Sequence, residues 1–232
     1  MDSNVLFKDN VDKIKQYLEI HPEDINEYLK VHQENINIVA NNITPLTNAV
    51  KTDRMDVIDC LIEHGCDINF QNNNGWTSLH YACFRKDGTR DIIERLISNG
   101  ATGLLKNNWG ATPLHFAAQN TRDVNIIHQL IFVSDPNSLD YMGKNPLMEA
   151  CWDNNIDIIS ALLNVTYDIN LRDFNGRTAL HWSYYNKNYK GIELLLSSGA
   201  DPFIQDFYGK APYDLRDEEG KRIIDEYLAS KK

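Results

Sequence analysis

Apolar residues along the chain follow two alternating patterns with helical spacing. In the first pattern a leucine comes two residues after a threonine or asparagine, as Leu79 follows Thr77. In the second, isoleucines and leucines lie one, three and four residues apart, as in the run from Ile92 to Leu96. Such spacing places the side chains on one face of a helix. A glycine such as Gly65, which can end a helix in the left-handed conformation, follows most second patterns. The sequence therefore predicts pairs of short helices joined by turns and extended loops.

The whole pattern repeats at an almost constant interval. The six copies of its first segment span residues 42–50, 75–83, 110–118, 143–151, 176–184 and 209–215. We call the residue before each predicted first helix the register residue. The register residues, at positions 44, 77, 112, 145, 178 and 211, are 33, 35, 33, 33 and 33 residues apart. Because neither helix of a copy can bury its apolar stripe alone, neighbouring copies must stack and share one core.

These segments resemble the ankyrin repeat, whose hallmark is a turn glycine, Thr-Pro-Leu-His-x-Ala-Ala, a second helix rich in valine or isoleucine, and Gly-Ala-Asp-x-Asn. The match covers about residues 38–228. The resemblance implies an all-α fold, a curved single solenoid of helix-turn-helix repeats with β-hairpin-like loops. It also implies that His80, His115 and His181 form structural hydrogen bonds that link adjacent loops.

We expect residues 1–232 to form a single domain of about seven repeats, including degenerate caps. Residues 2–26 are the predicted N-terminal cap and residues 206–232 the C-terminal cap, because terminal repeats must present a water-compatible outer face. An insert at residues 27–41 separates the first cap from the array. The five repeats between the caps are predicted to span residues 42–72, 73–106, 107–139, 140–172 and 173–205.

Two departures from the repeat pattern are expected to change local geometry. Residues 84–91 include two additional residues, which lengthen the turn between the helices of that repeat. Residues 133–137 replace the Gly-Ala-Asp stop of the fourth repeat, so we expect its loop to be held differently from the others.

The composition is that of an ordinary globular protein with an acidic balance. With 42% hydrophobic residues and a net charge of -10, the chain has no extended positive field, so we expect no nucleic-acid partner. The N-terminus lacks a secretory pattern and the apolar runs are interrupted, so we expect no membrane association. The four cysteines form no CxxC pair and resemble buried thiols of a reducing compartment. We expect a cytoplasmic monomer, with the nucleus or a host cytosol as alternative locations.

Catalytic and metal-binding motifs do not occur in the sequence. There is no G-x-S-x-G, P-loop, H-E-x-x-H or G-x-G-x-x-G, and Asp24, Asp67, Asp168 and Asp201 are spaced by the repeat rather than by chemistry. We therefore predict that the chain is not an enzyme and has no cofactor, catalytic residue or metal site.

The resemblance also indicates where a partner would bind. In ankyrin arrays the loop tips and the exposed side of each first helix form a concave surface, at positions four, three and one before the register residue and seven and eight after it. Nine of the 25 such residues in the last five repeats are aromatic, against 10% of the whole chain. Aromatic, methionine and arginine side chains dominate interface energetics. The predicted partner-binding residues are Trp76, Phe84, Arg85, Trp109, Gln119, Tyr141, Met142, Lys144, Trp152, Arg177, Tyr185 and Tyr208.

We therefore expect a non-enzymatic adaptor or scaffold that holds another protein against this concave face. The expected anchors are Trp76, Trp109, Tyr141, Trp152 and Tyr185, and the cations expected to pair acidic groups of the partner are Arg85, Lys144 and Arg177. The alternative for some rings, especially Phe174 and Phe207, is that they only stack on neighbouring loops.

Two other roles stay open at the level of the sequence. The size and capping of the array are similar to those of gankyrin, a chaperone of proteasome assembly, although the inserts near residues 27–40 and 84–91 argue against a close match. The asparagine-rich composition also suits a secreted effector of an intracellular pathogen that acts on a host protein.

Overall fold

A computed structural model describes residues 43–86, 90–215 and 217–231, which contain helices, turns and extended loops but no sheet. The predicted N-terminal cap at residues 2–26 and the insert at residues 27–41 lie outside the described residues, and the long turn at residues 84–91 lies partly outside them. The chain divides into two compact units after Asn108. The organisation of residues 1–232 as one domain stays a prediction.

The predicted helix pairs are confirmed in both compact units. In the first unit the helices are α1 (Pro45–Lys51), α2 (Met55–Glu63), α3 (Ser78–Phe84) and α4 (Arg90–Ser98). In the second unit they are α5 (Pro113–Asn120), α6 (Val124–Val133), α7 (Pro146–Asp153), α8 (Ile156–Leu163), α9 (Ala179–Tyr185), α10 (Tyr189–Ser197), a 3₁₀ turn (Pro212–Asp214) and α11 (Glu218–Ser230).

At Thr44 and Asn145 the register residue begins the first helix of its repeat because its side chain binds a free backbone amide of that helix. Thr44 Oγ1 accepts a hydrogen bond from the N–H of Thr47 at 3.0 Å, and Asn145 Oδ1 accepts one from Met148 at 3.0 Å. Proline follows both register residues, where its missing N–H costs no hydrogen bond.

The core consists of the leucines of the first helices and the isoleucines of the second helices. Leu79, Leu114, Leu147 and Leu180 are buried, as the pattern predicts. Helix α7 shows how the repeats share this core, since it packs against its own second helix α8 and against the neighbouring first helices α5 and α9. This shared burial is what the stacking argument requires.

Among the described residues, four tight hairpins are closed by an Asp or Asn, namely Asn72, Asp140, Asp173 and Asp206. In one hairpin the N–H of Asp173 donates to the carbonyl of Arg177 at 2.8 Å, while Asp173 Oδ1 accepts from the N–H groups of Asn175 and Arg177. Successive hairpins are joined by backbone hydrogen bonds, for example from the N–H of Phe174 to the carbonyl of Met142 at 2.9 Å. These contacts confirm the β-hairpin-like loops.

The loop of the fourth repeat is held in the same way as an ordinary one, so our expectation for residues 133–137 is wrong. In the second repeat, Asn69 donates to the carbonyl of Gly100 and accepts from the N–H of Thr102. Asn137 makes the same pair of bonds in the fourth repeat, to the carbonyl of Val165 and from the N–H of Tyr167, at 3.0 Å each. The asparagine is responsible for this link, and the missing glycine changes only how α6 ends.

Candidate protein-binding surface

In the first compact unit, Trp76 is buried and cannot be the exposed anchor that we expected. Only 7% of it is exposed, and its ring lies 4.7 Å from the ring of Tyr81 and 5.5 Å from that of Phe84, between centroids. Its side chain crosses its own first helix instead of pointing outward. Phe84, at the end of α3, has its outer part exposed.

Arg85 is paired with an acidic group of its own chain, and its expected pairing with an acidic group of a partner stays a prediction. Its guanidinium donates to both carboxylate oxygens of Asp53 and, at 2.6 Å, to the carbonyl of Val50. The hydrogen bond from Arg85 lowers the pKa of Asp53, as expected for a stabilised carboxylate. This ion pair links the first helix of one repeat to the turn of the preceding repeat.

In the second compact unit, large side chains at the hairpin tips are exposed. Trp109 is 61% exposed, and the other exposed tip residues are Tyr141, Met142, Phe174, Phe207 and Tyr208. Three of these rings also lie on the glycine of the preceding hairpin. A Cβ added to Gly143 would lie 2.7 Å from Phe174 Cδ1, and similar contacts join Tyr141 to Gly110 and Phe207 to Gly176. Each of these rings therefore stacks on a neighbouring loop, as the alternative interpretation proposed, while most of its surface still faces solvent.

Beside the tips, three aromatic side chains of α7 and α9 form a group of edge-to-face contacts. The ring of Trp182 lies 5.4 Å from that of Trp152 and 6.2 Å from that of Tyr185, between centroids. Trp182 is only 8% exposed, whereas Trp152 and Tyr185 are 44% and 38% exposed. Edge-to-face geometry is favourable for aromatic pairs. Gln119 occupies the corresponding place on α5 and is half-buried.

Two cations lie against the ring of Trp182. Lys144 Nζ is 4.4 Å and the guanidinium carbon of Arg177 is 5.3 Å from its centroid, and Arg177 also lies 5.0 Å from the centroid of Tyr185. These are cation–π distances. Each cation also has a carboxylate neighbour within the chain, Glu149 Oε1 at 3.2 Å from Lys144 Nζ and Asp206 Oδ2 at 3.7 Å from Arg177 Nε.

We call Lys144, Glu149, Trp152, Arg177, Trp182, Tyr185 and Asp206 the Trp182 cluster. Burial disfavours the charged forms of Glu149, Tyr185 and Asp206 in this cluster. It raises the pKa of Glu149, and Lys144 opposes that shift in part. Burial also raises the pKa of the Tyr185 hydroxyl, which donates to Asp206 Oδ2 at 3.4 Å. For Asp206, burial raises the pKa, but backbone N–H donors from Lys210 and Tyr208 reverse this and leave it lowered.

Trp182 itself was not among the predicted partner-binding residues, although it lies at the centre of the cluster. It comes four positions after its register residue, and the matching residues in other repeats are Tyr81, Phe116 and Glu149. The available signal is the residue directly before the register residue, because in the structure its side chain lies over the residue four places after the register residue. Trp76 over Tyr81 and Arg177 over Trp182 are two examples.

Within the described ranges, no group of three or more His, Cys, Asp or Glu side chains is placed to hold a metal ion. The same residues include no helix with both the length and the apolar character needed to span a bilayer. Cys60, Cys83 and Cys151 are buried, Cys66 is half-buried, and all four are free thiols.

A comparison with protein-family models finds the family described as Ankyrin repeats in three overlapping copies, at residues 8–107, 84–173 and 114–206. Together these matches cover most of the chain. A search of curated proteins finds no match.

Proposed function

This chain belongs to the ankyrin-repeat family, and we propose that its second compact unit binds a partner protein through an aromatic strip. We define the strip as Trp109, Tyr141, Met142, Trp152, Tyr185 and Tyr208. Ankyrin repeats are generally protein–protein interaction modules, and the strip lies at the hairpin tips and first helices of this unit.

The observation that carries the proposal is the exposure of these large side chains. Each member of the strip is more than a third exposed, although aromatic rings and methionine are costly to leave in water. A partner that covered these side chains would remove several rings from water, and stacking already restricts the motions of some of these rings. Two to four such anchors, worth about 2 kcal/mol each, are enough for micromolar affinity.

The role that we propose is that of a non-enzymatic adaptor in a reducing compartment such as the cytoplasm. Burial raises the pKa of Cys60 to about 11 and that of Cys151 to about 12, so these thiols are poor nucleophiles at neutral pH. The buried histidines His115 and His181 are engaged in structural hydrogen bonds at both ring nitrogens. These groups therefore support the structure of the repeat rather than a reaction.

The test compares proteins captured from a cell lysate by immobilised full-length chain and its variants. The double variant Trp109→Ala with Trp152→Ala should lose a protein that the unchanged chain retains. A matched control is Phe132→Ala with Tyr167→Ala, because these rings are 88% and 91% exposed and lie outside the strip. Equal capture by both double variants, with both folded by circular dichroism, would show that the strip is not the binding surface.

A further inference from the structure

The methionines of the chain differ strongly in exposure. Of the four in the sequence, three lie in the described ranges. Met142 is 53% exposed, whereas Met148 is 1% exposed and Met55 is half-buried. An oxidant in solution reaches an exposed side chain more easily than a buried one. Among the described methionines, Met142 is therefore the most open to oxidation.

Met142 is also a member of the aromatic strip. It comes three residues before its register residue, the hairpin position that Trp109 and Tyr208 occupy in other repeats. Its N–H donates to Asp140 Oδ1 at 2.8 Å, and its carbonyl accepts the N–H of Phe174 at 2.9 Å. Its backbone is thus held in its own hairpin and bonded to the next one. A partner that spans the strip would cover this side chain together with the neighbouring rings.

The thiols of the chain compete poorly with Met142 for an oxidant. Burial raises the pKa of Cys60 and Cys66 to about 11 and that of Cys151 to about 12, and it also raises the pKa of Cys83. Peroxides react with the thiolate, of which these cysteines have little at neutral pH. A thioether has no proton to lose, so the reactivity of Met142 depends on its exposure instead.

We propose that peroxide reversibly oxidises Met142 and that this oxidation weakens binding at the aromatic strip. The inference rests on the proposed function and adds a means of regulating the same surface. In the reaction the Met142 sulfur attacks one oxygen of hydrogen peroxide, an S–O bond forms, the O–O bond breaks and the other oxygen leaves as water. The sulfur loses the two electrons that the peroxide gains. A methionine sulfoxide reductase, supplied with electrons by a dithiol, reverses the change.

Oxidation changes the chemistry of Met142 without requiring the repeat to unfold. A thioether is apolar and flexible, which suits a contact between proteins. The sulfoxide oxygen is a polar acceptor, and covering it without a hydrogen-bond donor costs free energy. Because Met142 already faces solvent, the added oxygen stays hydrated in the free chain. The cost therefore falls on binding rather than on folding.

The first experiment treats the purified full-length chain with hydrogen peroxide and follows each residue by peptide mapping with mass spectrometry. We expect Met142 to be oxidised at least about tenfold faster than Met148 in the folded chain, and at a similar rate in concentrated urea. Equal rates in the folded chain, or oxidation of a cysteine before Met142, would overturn the assignment of the site.

The second experiment measures the effect on binding. Random displayed peptides are selected on the unoxidised full-length chain, and those that lose binding to Trp109→Ala with Trp152→Ala are kept as probes of the strip. Peroxide treatment of the chain, with the peroxide removed before the peptide is added, should weaken binding by about fivefold or more. Methionine sulfoxide reductase should restore the affinity.

Two variants assign the effect to one residue. Peroxide should not change the affinity of Met142→Leu, because that side chain cannot form a sulfoxide. Met148→Leu is the matched control, since it removes a buried methionine with little change in volume and should keep the full sensitivity to peroxide. Circular dichroism before and after treatment verifies that each chain stays folded.

The outcomes separate this inference from the proposed function. Unchanged affinity after oxidation of Met142, or equal sensitivity in Met142→Leu, would overturn the inference while the strip remains a binding surface. A library that yields no binder, or only peptides that are insensitive to Trp109→Ala with Trp152→Ala, would contradict the proposed function and the inference with it.

Discussion

His115 joins its own first helix to the hairpin that carries Lys144. Its Nδ1 accepts the N–H of Thr112 at 3.2 Å, so the other ring nitrogen carries the proton, and Nε2 donates to the carbonyl of Lys144 at 3.1 Å. His181 makes the equivalent bond to the carbonyl of Lys210 at 3.0 Å. These contacts confirm the predicted structural role of both histidines. The bond from His115 also fixes the backbone of Lys144, a member of the Trp182 cluster.

We predict that His115→Ala lowers the free energy of unfolding by about 1–3 kcal/mol, because it leaves a buried N–H and a buried carbonyl without their partner. Chemical denaturation followed by circular dichroism measures this change. His128→Ala is the control, since His128 is exposed on α6 of the same compact unit and should change stability by less than about 0.5 kcal/mol. Equal stability of the two variants would contradict a structural role for His115.

Acid should destabilise the fold through His181. Burial lowers the pKa of His181 below the ordinary histidine value of about 6.5, so protonation favours the unfolded state. The stability that neutral His181 contributes is therefore fully present above pH 6.5 and is lost as the pH falls below it. Urea denaturation at pH 7.5 and pH 5.5 should show a smaller pH effect for His181→Gln than for the unchanged chain. The same dependence in both proteins would exclude His181 as its source.

Gly143→Ala should destabilise the protein more than Gly199→Ala. Both glycines have positive φ, +76° and +97°, so both changes introduce backbone strain of about 1 kcal/mol. Only at Gly143 would the new Cβ also meet a neighbour, 2.7 Å from Phe174 Cδ1, whereas nothing lies within 4 Å at Gly199. Thermal unfolding of the two variants tests the difference. A smaller effect at Gly143 would show that Phe174 moves freely off the glycine.

Arg172 should stabilise the hairpins more than an ordinary surface arginine does. Its guanidinium donates to the carbonyls of Gly176 at 3.1 Å and Gln205 at 2.8 Å and lies 5.1 Å from the ring centroid of Phe207. We expect Arg172→Ala to cost about 1–2 kcal/mol in the free energy of unfolding. Arg222→Ala, which removes only exposed ion pairs within α11, should cost less than about 0.5 kcal/mol in the same denaturation experiment. A similar loss of unfolding free energy in both variants would mean that the contacts of Arg172 do not stabilise the hairpins.

Much of the fold follows from local chemistry that can be seen in the sequence. Apolar spacing predicts the helix pairs, Thr or Asn marks where most first helices begin, and the period of 33 to 35 residues implies stacking. The contacts of His115 and His181 were implied by the resemblance to the ankyrin repeat and not by the spacing alone. The prediction for the loop at residues 133–137 is wrong because Asn137, and not the Gly-Ala-Asp stop, provides the link to the next loop.

The exposure of the candidate surface does not follow from register alone. Three residues come directly before a register residue, namely Trp76, Lys144 and Arg177. Each of their side chains contacts the residue four places after that register residue, which is Tyr81, Glu149 and Trp182 in turn. The exposure depends on the two side chains in contact: Trp76 stacks on Tyr81 and is buried, whereas the side chains of Lys144 and Arg177 stay 21% and 24% exposed. Local pattern alone thus specifies the helices, their ends and their stacking, since these depend on neighbours in sequence and on the repeat period. Which rings face solvent depends on how side chains pack, within one repeat for Trp76 on Tyr81 and between adjacent repeats for Trp152 on Trp182, and only the tertiary structure decides this packing.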